Sequence, residues 1–178
     1  NSTIDGKILK ERTGKELKIL ARGVESGLNF PKLFDYNAKE MAIIMEKIDG
    51  KLLGKCLDEE TISPRILDML GKEVGKMHEA GISHGDLNPN NILLSNNSVF
   101  LIDPSMGSLS PGVEELAADI KMVSDFLKGH SFSEIPYFKS FIDSYSSLSS
   151  RWKEIDSILY EIEKKEEVRM IKFVSSNE

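Results

Sequence analysis

Apolar residues recur along much of the chain at spacings of three and four, which is the period of a helix with one buried face. This pattern predicts helices over four segments: residues 5–26, 63–80 and 113–128, and an amphipathic helix that begins at Trp152. Glycine follows each of the first three segments, as expected where a helix ends. Residues 131–150 are rich in serine but keep an apolar face, which predicts a short helix and a loop. Residues 171–178 are predicted to form a tail.

Two runs near the start have the composition of strands instead. Residues 30–36 and 41–45 are rich in apolar and aromatic side chains, and an Asn-Ala-Lys-Glu turn separates them. The second run is apolar throughout, which predicts a strand covered on both faces. Charge and then glycine break the pattern at residues 46–50, so we expect a short connector there that leads into a helical region.

The stretch with the most chemical content runs from Ile82 to Asp103 and begins Ile-Ser-His-Gly-Asp-Leu-Asn-Pro-Asn-Asn. Its apolar runs at residues 92–94 and 99–102 predict a hairpin, because only four turn-forming residues separate them. Pairing of these strands brings Asn91 and Asp103 side by side at one end of the hairpin. Asp86 lies in the loop that leads into it.

Phosphoryl transfer from a nucleotide needs this set of groups. One carboxylate lies near the attacking hydroxyl, while an amide oxygen and a second carboxylate bind magnesium. Asp86 fits the first role, and Asn91 and Asp103 fit the second. Each part is ordinary by itself, since Asn-Pro-Asn-Asn is a turn signal and Gly-Asp is a common loop dipeptide. The full set at this spacing favours a kinase site.

Three further polar residues are candidates for support of this site. His84 is placed to brace the loop through a backbone carbonyl or through Asp103. Asp119 lies mid-helix beside an apolar stripe, and a buried acid there needs a partner, which the loop could supply. Glu16 lies at the edge of the first apolar stripe, where it could reach a partner inside the protein; read alone, it fits an exposed helix glutamate.

Composition and charge narrow the class of protein. The 178 residues suffice for one domain, or for one domain with a small lobe, and 40% of them are hydrophobic and 29% charged. The net charge of −6 argues against broad nonspecific binding to nucleic acid. The single cysteine, Cys56, excludes an intramolecular disulfide, and no zinc-ligand spacing, signal peptide or membrane span is visible. We therefore expect a cytoplasmic protein, or a nuclear one if the source is eukaryotic. The sequence opens at Asn1, so we expect upstream residues to have been removed or to be absent from it.

The chain resembles the small atypical kinase or ATPase subunit of the KEOPS complex, which serves threonylcarbamoyladenosine formation on tRNA. The resemblance covers about residues 4–169 and rests on five stretches: Lys-Glu-Arg-Thr-Gly-Lys-Glu at 10–16, Phe-Pro-Lys-Leu-Phe-Asp at 30–35, Ile-Met-Glu-Lys-Ile-Asp-Gly at 44–50, His-Gly-Asp-Leu at 84–87 and Glu-Glu-Leu-Ala-Ala-Asp at 114–119. It implies an α+β, protein-kinase-like fold. A partial N-terminal β lobe with one helix and the hinge is expected over residues 1–50, and a mainly helical C-terminal lobe over residues 51–178.

The same resemblance implies ATP and Mg²⁺ as cofactors and suggests roles for individual residues. Asp86 corresponds to the catalytic carboxylate, and Asn91 and Asp103 correspond to the magnesium ligands. Glu16 corresponds to the helix acid that pairs with a strand lysine touching the α- and β-phosphates.

The hinge and the partners are implied in the same way. Met45 corresponds to the residue before the hinge, and Glu46 and Ile48 would offer backbone groups to adenine. The implied partners are the threonylcarbamoyl-transferase subunit and a small companion protein that docks on the N-terminal lobe. The resemblance implies contact with tRNA through the complex and none with a membrane.

Three departures from the family pattern leave two other functions open. Asn-Pro-Asn at residues 88–90 replaces the usual Thr-Thr-Ser, Pro104 and Ser105 follow Asp103 in place of Phe-Gly, and the glycine-rich loop and lysine strand expected ahead of the first helix are not in the sequence. Either the sequence lacks its first strands, or the protein is a noncatalytic pseudokinase scaffold. A small-molecule phosphotransferase of the aminoglycoside or sugar-kinase kind also uses His-Gly-Asp-Leu, then Asn, then Ile-Asp-Pro. Such enzymes usually carry a larger helical insertion than this chain has room for.

Overall fold

The computed structural model describes residues 2–129 and 137–175, with side chains described for residues 10–129 and 137–169. Its helices are α1 Ser2–Glu25, α2 Leu53–Asp58, α3 Pro64–Glu79, α4 Val113–Gly129, α5 Tyr137–Leu148 and α6 Trp152–Ser175. Its strands are β1 Leu33–Asn37, β2 Ala42–Met45, β3 Lys51–Leu52, β4 Ile82–Ser83, β5 Ile92–Ser95, β6 Ser98–Leu101 and β7 Ser108–Leu109. The four predicted helices and the two predicted pairs of strands are all present. The short α2, β3, β4 and β7 were not predicted.

Helix α1 ends where the sequence predicts. Gly27 has a φ of +74°, a conformation that costs glycine little. The amide of Leu28 donates to the carbonyl of Gly23, and the amide of Gly27 donates to the carbonyl of Val24, both at 3.0 Å. These two bonds satisfy carbonyls that the end of a helix leaves without partners, and they turn the chain away from α1.

The strand after α1 begins later than predicted. Phe30 is buried and lies so close to α1 that a Cβ on Gly23 would be 2.3 Å from its ring. The chain therefore crosses α1 before β1 begins at Leu33. Strands β1 and β2 pair antiparallel, with an irregularity between Leu33 and Asp35. The prediction that the second strand is covered on both faces is wrong, because burial alternates along β2 and Ile44 is 51% exposed.

Two further small sheets frame the middle of the chain. One has the strand order β3-β5-β6, and the other pairs β4 with β7. Both are antiparallel. Because α3 leads directly into β4, and β4 into the stretch before β5, these sheets hold the loop at residues 84–91 between them.

The helical part of the core forms around α3. A Cβ on Gly71 would lie 2.2 Å from the carbonyl oxygen of Phe141, so α3 and α5 cross with their backbones almost in contact. Tyr145 is fully buried beside them and meets Trp152 edge to face, with 5.9 Å between ring centroids. One cluster of buried side chains extends from Ile19 in α1 to Ile155 in α6. The domain boundary after residue 50 stays a prediction.

The C-terminal part differs from the prediction in one respect. Helix α6 continues to Ser175, so the predicted tail at residues 171–178 is wrong for residues 171–175, and residues 176–178 lie outside the described part. The short helix predicted within the serine-rich segment is α5, while residues 131–136 of that segment are also outside the described part. Among the helices described, none is both long and apolar enough to span a membrane.

Candidate active site

The loop that starts at His84 is held against the segment that follows Asp103. Gly85 has a φ of +77°, and a Cβ there would lie 2.4 Å from the carbonyl carbon and oxygen of Met106. On the opposite side, a Cβ on Gly107 would lie 2.1 Å from the carbonyl oxygen of Ser83. Only glycine permits so close an approach of two backbones at both places. The pairing of β4 with β7 continues this contact.

Asp119 fixes the same loop from α4. This carboxylate is 1% exposed, and it accepts the backbone N–H of His84 at 2.7 Å and that of Gly85 at 2.8 Å. It also accepts the ring N–H of His78 at 3.2 Å, and the other ring nitrogen of His78 accepts the hydroxyl of Tyr145 at 2.7 Å. Burial raises the pKa of Tyr145 to about 12, so its hydroxyl keeps its proton. The predicted tie between Asp119 and the loop is therefore present.

His84 braces the loop from inside, as predicted. Its Nε2–H donates to the carbonyl of Ile102 at 3.0 Å, and its Nδ1 accepts the backbone N–H of Asp86 at 3.4 Å. Burial lowers the pKa of this imidazole, although the negative charge of Asp119 opposes the shift. The neutral tautomer with a proton on Nε2 satisfies both contacts. The ring thus links the residue before Asp103 to the loop that carries Asp86.

The hairpin brings Asn91 next to Asp103. Strands β5 and β6 are joined by a two-residue turn in which Asn96 and Asn97 have φ values of +46° and +62°, the left-handed pair that matches the twist of a hairpin. At the opposite end, the amide of Ile102 donates to the carbonyl of Asn91 at 2.9 Å. The predicted hairpin is therefore present, but Ser95 and Ser98 belong to its strands and the turn is two residues long instead of four. Asn91 lies opposite Ile102, one residue before Asp103.

Asp86 and Asn91 are joined directly. The Asn91 side-chain amide donates to Oδ2 of Asp86 at 2.9 Å and to its backbone carbonyl at 2.8 Å. Both partners are acceptors, so the amide nitrogen must face Asp86, and Oδ1 of Asn91 lies on the other side of the amide group. The side-chain amide of Asn88 donates to the second carboxylate oxygen of Asp86 at 2.9 Å.

Asp103 lies on the surface between the hairpin and α1. It is exposed, and its φ is +54°, which an aspartate adopts uncommonly. The next two residues are buried, and the guanidinium of Arg12 in α1 donates to the hydroxyl of Ser105 at 3.3 Å. Partial burial and the charge of Asp103 raise the pKa of Glu16, while Arg12 lowers it. Glu16 is therefore half-buried and within electrostatic range of Asp103, and its interpretation as an exposed helix glutamate is wrong.

The residues that the family resemblance assigns to the hinge lie at the end of the β1–β2 hairpin. Met45 is partly buried against the core. The amide of Glu46 donates to the carbonyl of Lys32 at 2.8 Å, and its carboxylate accepts the amide of Lys32 at 3.2 Å. Ile48 is half-buried in the connector that follows. Their adenine contacts stay predictions.

The connector and α2 then support the loop at residues 84–91 from its other side. A Cβ on Gly50 would lie 2.7 Å from the carbonyl oxygen of Leu94, so the connector passes close to β5. The amide of Gly54 donates to the carbonyl of Pro89 at 3.1 Å. A Cβ on Gly54 would also lie 3.1 Å from Oδ1 of Asn90. The loop between Asp86 and Asn91 is thus held by a helix that the sequence did not predict.

A second buried acid, unlike Asp119, was not predicted from the sequence. Glu73 in α3 is 3% exposed and accepts the backbone N–H of Asn29 at 2.5 Å. Burial raises its pKa, while the bond from Asn29 and the charge of Lys76 lower it. The carbonyl of Asn29 accepts the amide of Leu101 at 3.0 Å, so this contact ties α3, the end of α1 and β6 together. No local pattern marks Glu73, because its partner lies 44 residues away.

Comparison with known proteins shows the family of this chain. The RIO domain family matches residues 3–139. The chain is 43% identical over 129 residues to a probable bifunctional tRNA threonylcarbamoyladenosine biosynthesis protein of Thermoplasma acidophilum, covering 72% of this chain and 24% of that protein. It is 37% identical over 122 residues to the KEOPS complex subunit Bud32 of Pyrococcus abyssi, covering 67% of this chain and 56% of the subunit. The resemblance proposed from the sequence is confirmed.

The fold is found in a more distant structure as well. The bifunctional kinase-methyltransferase WbdD aligns with a TM-score of 0.57 over 89% of this chain and 41% of that one, at 16% identity. This likeness confirms the kinase-like α+β fold. The chain spans about a quarter of the Thermoplasma protein and just over half of the Pyrococcus subunit. Since the family match covers most of its length, this chain belongs to the RIO domain family.

Proposed function

We propose that this chain carries the nucleotide site of an ATP-dependent kinase or ATPase that acts in threonylcarbamoyladenosine formation on tRNA. The observation that supports it best is the convergence of Asp86, Asn91 and Asp103 at one end of the β5–β6 hairpin. The names of the relatives support the setting, since one is called a tRNA threonylcarbamoyladenosine biosynthesis protein and another a KEOPS complex subunit.

The side chains fit a magnesium ion with bound phosphates. Mg²⁺ prefers oxygen ligands and is commonly held by one or two protein groups together with substrate phosphates. Asn91 has its amide nitrogen bonded to Asp86, which leaves Oδ1 as the atom for the cation, and the Asp103 carboxylate is exposed. When bound, the ion would neutralise charge on the transferring phosphoryl group.

The remaining roles belong to residues of the chain itself. Asp86 accepts the proton of the attacking hydroxyl or orients an attacking water. The carbonyl of Glu46 and the amide of Ile48 take the polar edge of adenine beside Met45. Glu16 pairs with a lysine from an upstream strand that binds the α- and β-phosphates, a role supported by its partial burial and its closeness to Asp103.

The proposed cellular location and partners rest on the same relatives. We propose that the protein works in the cytoplasm, bound to a threonylcarbamoyl-transferase subunit and to a small companion subunit, and that it meets tRNA through that complex. The small-molecule phosphotransferase is not favoured, because the relatives carry threonylcarbamoyladenosine and KEOPS names.

The test uses the natural full-length protein and the Asp86→Asn variant. We expect magnesium-dependent ATP turnover in the parent and a loss of roughly two orders of magnitude or more in the variant, the range for loss of a general base. Nucleotide affinity should stay within about twofold, because Asp86 is not assigned a binding role. Asp143→Asn is the matched control, since Asp143 is exposed on α5 and pairs with Lys139.

Two outcomes would count against the proposal. Near-parental turnover by Asp86→Asn would remove Asp86 from the mechanism. A parent protein that binds nucleotide but shows no turnover with its partner subunits present would favour the scaffold interpretation.

A further inference from the structure

The loop between Asp86 and Asn91 contains a polar side chain with two fixed contacts. Oδ1 of Asn88 accepts the backbone N–H of Asn90 at 2.9 Å, which forms a local side-chain turn. Because the oxygen is committed to that amide, the nitrogen of the same side chain must point the other way. It donates to Oδ1 of Asp86 at 2.9 Å.

The second oxygen of Asp86 is held in the same manner from the other side. The Asn91 side-chain amide donates to Oδ2 of Asp86 at 2.9 Å. Each oxygen of the carboxylate therefore accepts one amide bond, and rotation of the carboxylate away from this plane would break at least one of them. An ionised carboxylate has about four acceptor positions, so these two bonds leave positions for a substrate hydroxyl or a water.

The support for Asn88 is itself anchored. Pro89 follows it with a restricted φ, and the carbonyl of Pro89 accepts the amide of Gly54 at 3.1 Å. Asn88 also closes a backbone turn, because its own amide donates to the carbonyl of Asp86 at 2.9 Å. The side chain of Asn88 is thus held on a backbone that α2 fixes in place, and it has few ways to move away from Asp86.

We infer that Asn88 is a positioning residue for Asp86. Its amide and that of Asn91 together hold the carboxylate in the orientation from which it meets the attacking group. This inference rests on the proposed function of Asp86. It also gives a physical role to the Asn-Pro-Asn segment, in which this loop departs from the family pattern.

The first test compares turnover with binding in the full-length protein. Asn88→Ala should lower kcat for ATP by about 10- to 100-fold, the range for a misplaced catalytic group, with the nucleotide Kd and the Tm near parental values. Asn88→Asp keeps the acceptor for Asn90 but loses the donor and adds a charge beside Asp86, so its kcat should fall at least as far. Asn97→Asp makes the same exchange at the far end of the hairpin and should leave kcat unchanged.

A double variant separates positioning of Asp86 from any other effect. In an Asp86→Asn background, Asn88→Ala should cause no further loss of kcat, because the group that it positions is already gone. An equal fractional loss in both backgrounds would overturn the inference. A parental kcat in Asn88→Ala would overturn it too. So would a fall in turnover that saturating nucleotide restores, because weaker nucleotide binding alone would explain it.

A second readout does not depend on turnover. With Asp86 held from one side only, the side-chain amide protons of Asn91 should exchange with solvent faster in Asn88→Ala than in the parent, as measured by NMR. Unchanged exchange would overturn the positioning role whatever the activity. If the amide protons exchange faster in Asn88→Ala but the parent protein has no ATP turnover, the positioning of Asp86 by Asn88 is supported and only the proposed function is refuted.

Discussion

Replacement of Asp119 by asparagine tests how the loop at residues 84–91 is held in place. The exchange changes the side chain very little in shape, but it replaces one acceptor oxygen with an NH₂ group. The two oxygens of Asp119 accept the backbone N–H groups of His84 and Gly85 and the ring N–H of His78. In either orientation of the asparagine amide, its NH₂ would face at least one of these donors.

The expected cost follows from those contacts. A buried donor left without an acceptor costs about 1–3 kcal/mol, and the remaining bonds lose the part of their strength that comes from a charged acceptor. Together these effects predict a loss of about 2–4 kcal/mol in the free energy of unfolding. For a chain of this size, each kcal/mol corresponds to roughly 2–4 °C, so Tm should fall by about 5–15 °C. ATP turnover should also be lower than in the parent at temperatures well below Tm, because the loop carries Asp86.

The assay is urea unfolding of the parent and of Asp119→Asn, followed by turnover at a temperature where both are folded. Asp125→Asn is the matched control on the same helix, because Asp125 is exposed and paired with Lys121. A surface pair of this kind contributes about 0–1 kcal/mol. Equal unfolding free energies for Asp119→Asn and Asp125→Asn would refute the reasoning.

Three further predictions concern His84 and Glu16 beside the site. Burial lowers the pKa of His84 below the ordinary value of 6.5, so its neutral form contributes stability that is present above pH 6.5 and is lost as pH falls toward its lower native pKa. NMR should show the imidazole titrating below pH 6.5, and His84→Gln should lose less stability over this pH range. Titration of the imidazole at or above pH 6.5 would contradict this prediction. In the 178-residue chain without an upstream lysine partner, burial and Asp103 raise the pKa of Glu16, so its charged form opposes folding. In that chain Glu16→Gln should raise Tm at pH 7, with the gain disappearing as pH falls through that pKa. In the full-length protein, Glu16→Ala should lower ATP turnover by about tenfold, because Glu16 is proposed to hold the phosphate-binding lysine. The control, Glu11→Ala, should keep parental turnover. Parental turnover in Glu16→Ala would refute the proposed role of Glu16.

The elements that the sequence predicted well are those with local signals. Pro64 and Gly81 bracket α3, and α3 occupies the segment between them. The hairpin was predictable because two short apolar runs flank an Asn-Asn turn, and its register follows from that turn. This local signal alone was enough to place Asn91 beside the end of the strand that leads to Asp103.

The contacts that hold the site were harder to predict, because their partners are distant in sequence. Arg12 reaches Ser105 across 93 residues, and the bond from His84 to Asp119 spans 35. A helical pattern shows that Asp119 lies near an apolar stripe, but it does not show which backbone faces it. The exposed face of Ile44 was mispredicted for a related reason, since an apolar run does not reveal whether another element covers its second side.

The magnesium-dependent part of nucleotide binding tests the central claim most directly. The measurement is a calorimetric titration of ATP into the full-length protein and its Asp103→Ala variant, each with Mg²⁺ and with a chelator. The proposed magnesium ligands, Asn91 and Asp103, predict that Mg²⁺ strengthens binding in the parent, and that Asp103→Ala loses most of this gain while keeping its affinity in chelator. Equal loss of affinity with Mg²⁺ and with chelator would contradict a metal-binding role for Asp103.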